Sequence, residues 1–144
     1  MTAIIVDTSA ILAIFDESYA EHAAIARVLE KAEDLLVVSP MVVAEADYML
    51  ASRLGPKAAR RFAADVSCEA YDLAGWTSSD HAAALAVISG QSDDGDYLGI
   101  ADASNVVLAD RHRTTTILTL DQRHFRRLRP LWGAGHFTVL PYDA

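Results

Sequence analysis

Apolar residues occur along the chain in two patterns, and their alternation predicts the fold. Short apolar runs, often β-branched and bounded by polar residues, are typical of strands buried on both faces of a sheet. Longer segments with apolar residues every three or four positions are typical of amphipathic helices. The predicted strands lie at residues 3–6, 35–39, 70–73, 115–120 and 137–140. The predicted helices lie at residues 10–15, 19–31, 40–54, 57–66, 98–112 and 122–128, and a further helix begins at a Ser78 or Ser79 cap and ends at residue 89.

Buried strands that alternate with helices predict an α/β protein in which helices cover both faces of a mainly parallel sheet. The expected architecture is therefore a three-layer α/β/α sandwich. The chain has 144 residues, with no internal repeat and no Pro/Gly-rich linker, so we expect one domain over residues 1–144. In such sheets ligands bind outside the carboxyl ends of the strands.

Two acidic residues directly follow predicted strands. Asp7 follows the first strand, and Asp121 follows the strand at residues 115–120. Each of them could simply cap the helix that comes next, since Asp is a favourable N-cap residue. Their shared position at strand ends nevertheless indicates a site at one edge of the sheet.

Two further acids interrupt apolar stripes of predicted helices. Glu45 shares a helical face with Val42 and Met49, and Asp102 shares one with the apolar residues four positions before and after it. A carboxylate on a core-facing stripe is costly unless it is paired, protonated or bound to a metal. The alternatives are a salt bridge from Glu45 to a distant arginine and a helix-dipole role for Asp102.

Together, the four acids predict a metal site. Carboxylates that converge repel one another, and a bound cation relieves that repulsion. Ligand sets made of oxygen favour Mg²⁺ or Mn²⁺ over Zn²⁺, and the lone Cys68 and scattered histidines provide no zinc-like spacing. Hard ions held by carboxylates are typical of phosphoryl chemistry.

The distribution of charge allows a nucleic-acid partner although the net charge is −8. Residues 1–104 carry 17 acidic and 6 basic side chains, whereas residues 105–144 carry 3 and 6. A locally basic segment can hold a phosphate backbone, although it could also be a solvated helix face. The candidates for contacts with flanking phosphates are Arg111, Arg113, Arg123 and Arg126.

The sequence favours a cytoplasmic protein that does not enter a membrane. The N-terminus lacks the basic region of a signal peptide, and no apolar run approaches the roughly 20 residues that cross a bilayer. Cys68 is the single cysteine, so no disulfide can form within the chain.

Around the four acids, the chain resembles the PIN-domain family, and specifically the VapC ribonuclease toxins of bacterial toxin–antitoxin pairs. The resemblance covers nearly the whole length. Any one of its motifs would be a weak match, whereas four in this order at the family's spacing are highly specific. The motifs are Ile5-Val6-Asp7-Thr8-Ser9-Ala10, Val42-Val43-Ala44-Glu45, Leu98-Gly99-Ile100-Ala101-Asp102-Ala103-Ser104 and Ile117-Leu118-Thr119-Leu120-Asp121-Gln122-Arg123-His124-Phe125.

The resemblance implies that Asp7, Glu45, Asp102 and Asp121 are the acidic metal-binding quartet, with Ser9 as the polar residue beside the first acid. It also implies Mg²⁺- or Mn²⁺-dependent endonucleolytic cleavage of RNA, transfer or ribosomal, that leaves a 5′-phosphate and a 3′-hydroxyl. The implied partners are a second copy of the chain, with which it forms a homodimer, and a cognate VapB-type antitoxin, whose C-terminal peptide lies in the acidic groove. The resemblance also allows a higher toxin–antitoxin assembly.

One stretch departs from the family pattern. Related sequences usually carry an Asp seven or five residues before the third acid, where this chain has Gly95 and Tyr97. Asp94 and Asp96 lie one step away from these positions, so a contribution of either to the site is left open.

Other reactions are compatible with some of these residues. A phosphatase or a phospho-accepting receiver could use Asp7 as a nucleophile, but the phosphatase would need an acid in place of Ser9. The receiver would need a late lysine, and none follows Lys57. A metal-free ribonuclease could use His112 or His124 as acid and base, and chelation would distinguish it.

A non-enzymatic role is the remaining alternative. In that case the chain is a catalytically inactive PIN-like binding module, whose acidic groove only engages a basic partner peptide. The presence of all four acids argues for the enzyme.

Overall fold

The structure is a computed structural model that describes residues 2–91 and 97–144. Along these residues the elements are β1 (Ala3–Val6), α1 (Thr8–Phe15), α2 (His22–Lys31), β2 (Leu35–Val38), α3 (Pro40–Leu54), α4 (Pro56–Ser67), β3 (Asp72–Leu73), α5 (Ser78–Ser89), α6 (Ile100–Arg111), β4 (Thr116–Leu118), α7 (Gln122–Arg127) and β5 (Thr138–Leu140). Every strand–strand pairing between them is parallel.

The strand order across the sheet is β3-β2-β1-β4-β5. The chain therefore builds outward from β1 to β3 in one direction and then returns to place β4 on the other side of β1. A change of direction of this kind leaves a crevice at the carboxyl ends of the two central strands, which is the usual ligand position in open α/β sheets. Here those strands are β1 and β4.

The alternation of side chains along the strands produces two separate cores. Ile4 and Val6 of β1 face one side of the sheet, where α1 to α4 cover them, and Phe62 is the largest fully buried side chain in that core. Ile5 faces the other side, where α6 and α7 cover it. Burial of one such aliphatic or aromatic side chain stabilises the fold by about 1.5–3 kcal/mol. The prediction of a three-layer α/β/α sandwich is thus confirmed.

Several element boundaries differ from those expected, because side-chain hydrogen bonds end the strands early. Ser39 ends β2 because its hydroxyl caps α3. Thr119 lies beyond β4, where its hydroxyl accepts the Asp121 N–H. α2 begins at His22 rather than at residue 19, since the Asp16 carboxylate accepts the backbone N–H of Ser18 and holds a turn there.

Within residues 2–91 and 97–144, the structure has no helix with the length and apolar composition that a membrane crossing requires. Residues 92–95 of the predicted loop at residues 90–95 lie outside the described part of the chain.

Candidate metal centre

Asp7 lies in the turn between β1 and α1, where its backbone N–H donates to the Leu118 carbonyl of β4. It occupies the N-cap position of α1, but its side chain makes no capping hydrogen bond. Asp7 is 4% exposed, and its carboxylate turns towards α6 and the end of β4 instead. The simple capping role that the sequence allowed for Asp7 is therefore wrong.

Neutral donors hold both oxygens of the Asp7 carboxylate. Asn105 Nδ2 donates to Oδ1 at 3.0 Å, and Thr119 Oγ1 donates to Oδ2 at 2.7 Å. Ser9 Oγ lies 3.3 Å from Oδ2 and also accepts the Leu120 N–H at 2.8 Å. The contacts fix the orientation of the carboxylate without neutralising its charge.

The electrostatic environment favours the protonated form of Asp7 in the metal-free protein. Burial is the main reason that the pKa of Asp7 is raised, and the charges of Asp121 and Glu45 raise it further. The hydrogen bond from Thr119 opposes this shift. A bound cation would favour the ionised form, because it would supply the missing opposite charge.

Asp102 lies in the first turn of α6 and is only partly exposed. Its burial raises its pKa to about 7, with further contributions from the charges of Asp7, Asp121 and Glu45. The neighbouring His124 lowers it. The charges of the other three acids therefore reach Asp102 at this end of the sheet.

Asp121 is the N-cap of α7, and its Oδ1 accepts the His124 N–H at 3.0 Å. The capping role that the sequence allowed for Asp121 is therefore correct for this oxygen. The other oxygen, Oδ2, lies 2.7 Å from Nδ1 of the His124 ring. Because a carboxylate only accepts hydrogen bonds, this contact places the proton on Nδ1.

Among the described residues, Asp102, Asp121 and His124 form a compact group, in which the two carboxylates are the potential metal ligands because His124 Nδ1 carries a proton and donates to Asp121. One ligand atom of each lies within 4.8 Å of those of the other two, and His124 Nδ1 is 3.8 Å from Asp102 Oδ2. Asp7 and Glu45 act on this group through their charges. A set dominated by carboxylate oxygens suits a divalent cation, so the residues fit the expected metal.

His124 was not predicted as part of the metal site. The signal in the sequence is its spacing, since a residue three positions after an N-cap Asp meets that side chain in the first helical turn. The spacing between histidines, which argued against a zinc site, does not reveal the pairing of His124 with Asp121.

The predicted position of Glu45 on the core-facing stripe of α3 is wrong. Glu45 is exposed, and the buried stripe consists of Val42, Ala46 and Leu50. Glu45 precedes Ala46 by one residue, which turns its side chain about 100° away from that stripe. Its charge still acts on the other acids, so it lies at the rim of the site rather than in the core.

Three of the arginines considered for phosphate contacts are engaged with acids. Arg111 pairs with Asp80 at 3.0 Å, and Arg113 pairs with Asp110 three residues before it. Arg126 binds both oxygens of Asp143 at 2.7 Å. Arg123 is an exposed residue in the first turn of α7, between Asp121 and His124. Asp94 and Asp96, which the sequence left open as contributors, lie outside the described residues.

The metal-free protein is expected to lose stability as the pH rises from about 4 to about 7. The folded protein keeps a proton on Asp102 up to a pKa of about 7, whereas the ordinary value is 3.8. Over this interval the folded state binds more protons than the unfolded state, so Asp102 alone lowers the free energy of unfolding by up to about 1.4 kcal/mol per pH unit. Asp7, whose pKa is also raised, acts in the same direction. Asp143, with a pKa lowered to about 2, affects stability only below this interval.

Urea unfolding in EDTA at a series of pH values measures this slope. Asp102→Asn should flatten it, since the amide does not titrate. Equal slopes in the wild type and the variant would show that the folded protein does not raise the pKa of Asp102.

Comparison with known proteins places the chain among nucleases. The PIN domain family model matches residues 4–130. Ribonuclease VapC26 of Mycobacterium tuberculosis is 47% identical over 137 residues, which are 95% of this chain and 99% of that protein.

Two solved structures share the fold. VapC20 of Mycobacterium tuberculosis, a toxin that cleaves the sarcin-ricin loop, matches with a TM-score of 0.75 and 21% identity over 83% of this chain and 91% of that chain. VapBC2 from Rickettsia felis, bound to a DNA fragment from its promoter, matches with a TM-score of 0.68 and 13% identity over 96% of this chain and 98% of that chain.

Proposed function

The chain belongs to the PIN-domain family, and from that premise we propose that it is a metal-dependent endoribonuclease, the toxin of a type II toxin–antitoxin pair. The observation that carries the proposal is the meeting of Asp102 and Asp121 with the buried Asp7 at the crevice between β1 and β4. The likeness to Ribonuclease VapC26 supports RNA as the substrate.

We assign the metal site to the four acids, with Mg²⁺ or Mn²⁺ as the cofactor. Asp102 and Asp121 would hold the ion, and Asp7 and Glu45 would complete the negative charge around it. When bound, the ion would polarise the scissile phosphate, activate a water molecule and stabilise the leaving oxygen. The expected products are a 5′-phosphate and a 3′-hydroxyl.

The other residues of the site orient these acids. His124 Nδ1–H donates to Asp121 Oδ2 and fixes the direction of that carboxylate. Ser9 joins the turn after β4 to Asp7. Its hydroxyl lies 3.3 Å from Asp7 Oδ2, accepts the Leu120 N–H and lies 3.1 Å from Thr119 Oγ1. Groups that are held in this way before the substrate binds lower the cost of reaching the reactive geometry.

Phosphates of the RNA on either side of the cut would contact the arginines of the late basic segment. Arg123 is the candidate nearest to the acids in sequence, since it lies between Asp121 and His124. Arg111, Arg113 and Arg126 would have to exchange a carboxylate partner for a phosphate. We therefore expect Arg126, which Asp143 binds through two oxygens, to contribute least.

We further propose a cytoplasmic protein that forms a homodimer and is inhibited by a VapB-type antitoxin. The solved VapBC2 complex from Rickettsia felis supports an antitoxin partner. The acidic groove around Asp102 would suit a basic side chain of that partner, because the charges of the acids raise the pKa of Asp102 and a cation would relieve them.

The metal-free histidine mechanism is disfavoured by the position of His112. The His124 ring lies beside Asp102, which is in the first turn of α6. His112 follows Asp102 by ten residues at the end of α6, which places it about 15 Å from Asp102 along the helix axis. Two groups at that separation cannot act as acid and base on one phosphodiester.

The test is to map RNA ends after incubation of the purified protein with total RNA and Mn²⁺. We expect discrete new 5′-monophosphate ends that are absent with Asp102→Asn and absent in EDTA. Identical end profiles for the wild type and Asp102→Asn would contradict the proposal and favour the inactive binding module.

A further inference from the structure

Asn105 is a fully buried polar residue that the proposed chemistry does not use directly. It lies on α6 three residues after Asp102, so both side chains lie on neighbouring positions of one helical face. Its Nδ2 donates to Asp7 Oδ1 at 3.0 Å, although the two residues are 98 positions apart in the sequence. This hydrogen bond joins the carboxyl end of β1 directly to α6.

Packing alone gives no reason for an amide at this position. The surrounding residues of α6 are mostly apolar and buried, among them Ala101, Val106 and Leu108. Within the described part of the chain, Asn105 Oδ1 has no hydrogen-bond partner. Burying an amide that is only partly satisfied costs about 1–3 kcal/mol, so an apolar side chain of similar volume would serve the core better.

The neutrality of the donor matters for the site. A lysine or arginine in this position would also bind Asp7, but it would cancel the charge that a divalent cation needs. Asn105 and Thr119 instead bind the two oxygens of Asp7 and leave its negative charge in place. The contact therefore orients the Asp7 carboxylate without competing with the metal.

We propose that Asn105 is a positioning residue, which holds the Asp7 carboxylate at a fixed distance and angle from Asp102 and so sets the affinity of the site for its divalent cation. The inference rests on the proposed metal site. Partners that orient metal-binding side chains typically contribute about 10–100-fold to metal affinity.

The experiment compares two buried polar residues that are adjacent on α6. Asn105→Leu removes the donor and keeps the branched shape of the side chain, although its methyl groups add some volume. Ser104→Ala is the matched control, because Ser104 is equally buried and binds Ser39 and the Ala101 carbonyl but not Asp7. For each protein, Mn²⁺ affinity is measured by calorimetry, and the melting temperature is measured in EDTA.

We expect Asn105→Leu to raise the Mn²⁺ dissociation constant about 10–100-fold, while Ser104→Ala lowers the melting temperature without changing that constant. Asn105→Ala, which adds no volume, answers the same question if the leucine variant does not fold. An unchanged Mn²⁺ affinity in the folded Asn105 variant would overturn the proposal, and so would an equal loss of affinity in Ser104→Ala.

The result is separable from the ribonuclease assignment. Wild-type protein that binds Mn²⁺ but cuts no RNA would overturn the proposed activity alone, and the affinities of the variants would still decide the role of Asn105. Wild-type protein that binds no Mn²⁺ would overturn both.

Discussion

Asp102→Asn is expected to reduce RNA cleavage by at least about a thousandfold, which corresponds to about 4 kcal/mol of lost transition-state stabilisation. The amide keeps the size of the side chain but removes a charge from the group that would hold the cation. The same change should stabilise the metal-free protein by a few kcal/mol above pH 7. The reason is that burial and three neighbouring acids make the ionised form of Asp102 unfavourable there. Lost activity would therefore accompany gained stability.

Initial cleavage rates and urea unfolding in EDTA measure the two effects. Asp47→Asn is the matched control, because Asp47 is an exposed acid on α3 close to Glu45 in sequence. It should change neither quantity by much. Cleavage by Asp102→Asn at a rate near that of the wild type would remove Asp102 from the site.

The corresponding variant of Asp7 must be chosen with its hydrogen bonds in mind. The sequence predicts that Asp7→Ala abolishes cleavage and leaves the fold intact. In the structure, alanine would leave the buried donors of Asn105 and Thr119 without their acceptor, which costs about 1–3 kcal/mol for each such group. Asp7→Asn retains an acceptor oxygen and is the better test of catalysis.

The second large effect is expected from the divalent ion itself. Mn²⁺ at about 100 times its dissociation constant should stabilise the wild type by about 2.7 kcal/mol, which raises the melting temperature of a chain of this size by several degrees. Asp102→Asn should gain much less. EDTA should reduce wild-type cleavage to background, and excess Mn²⁺ should restore it. Thermal melts and cleavage assays on the same samples measure both effects.

Chelation also distinguishes the reaction classes. Cleavage that survives EDTA would require a metal-free mechanism based on histidine. Mn²⁺ that stabilises the wild type and Asp102→Asn equally would show that the ion binds away from the proposed centre.

The sequence was sufficient to predict the layers of the fold because hydrophobic periodicity is a local property. Each buried strand and amphipathic helix carries its own pattern, and alternation of the two leaves few arrangements besides a wrapped parallel sheet. The positions of Asp7 and Asp121 at strand ends followed from the same pattern, since the carboxyl ends of parallel strands share one edge.

The sequence predicted less about helical positions near the edge of a stripe. Neighbouring residues on a helix differ by about 100° in direction, so an apolar residue three or four positions away does not settle whether a side chain is buried. Asp102 is partly buried and Glu45 is exposed, although each has apolar residues three or four positions away on both sides.

What the sequence determined by itself was the set of elements, the α/β class and the acids that the chain brings to one end of the sheet, because local periodicity and residue type encode them. The tertiary structure alone decided the order of the strands, the pairing of the late arginines with acids, and the hold of Asn105 and Thr119 on Asp7. These contacts join residues 98 and 112 positions apart. A hydrogen bond of that kind depends on atoms being brought within about 3 Å of each other, and only the packing of the whole chain fixes that distance.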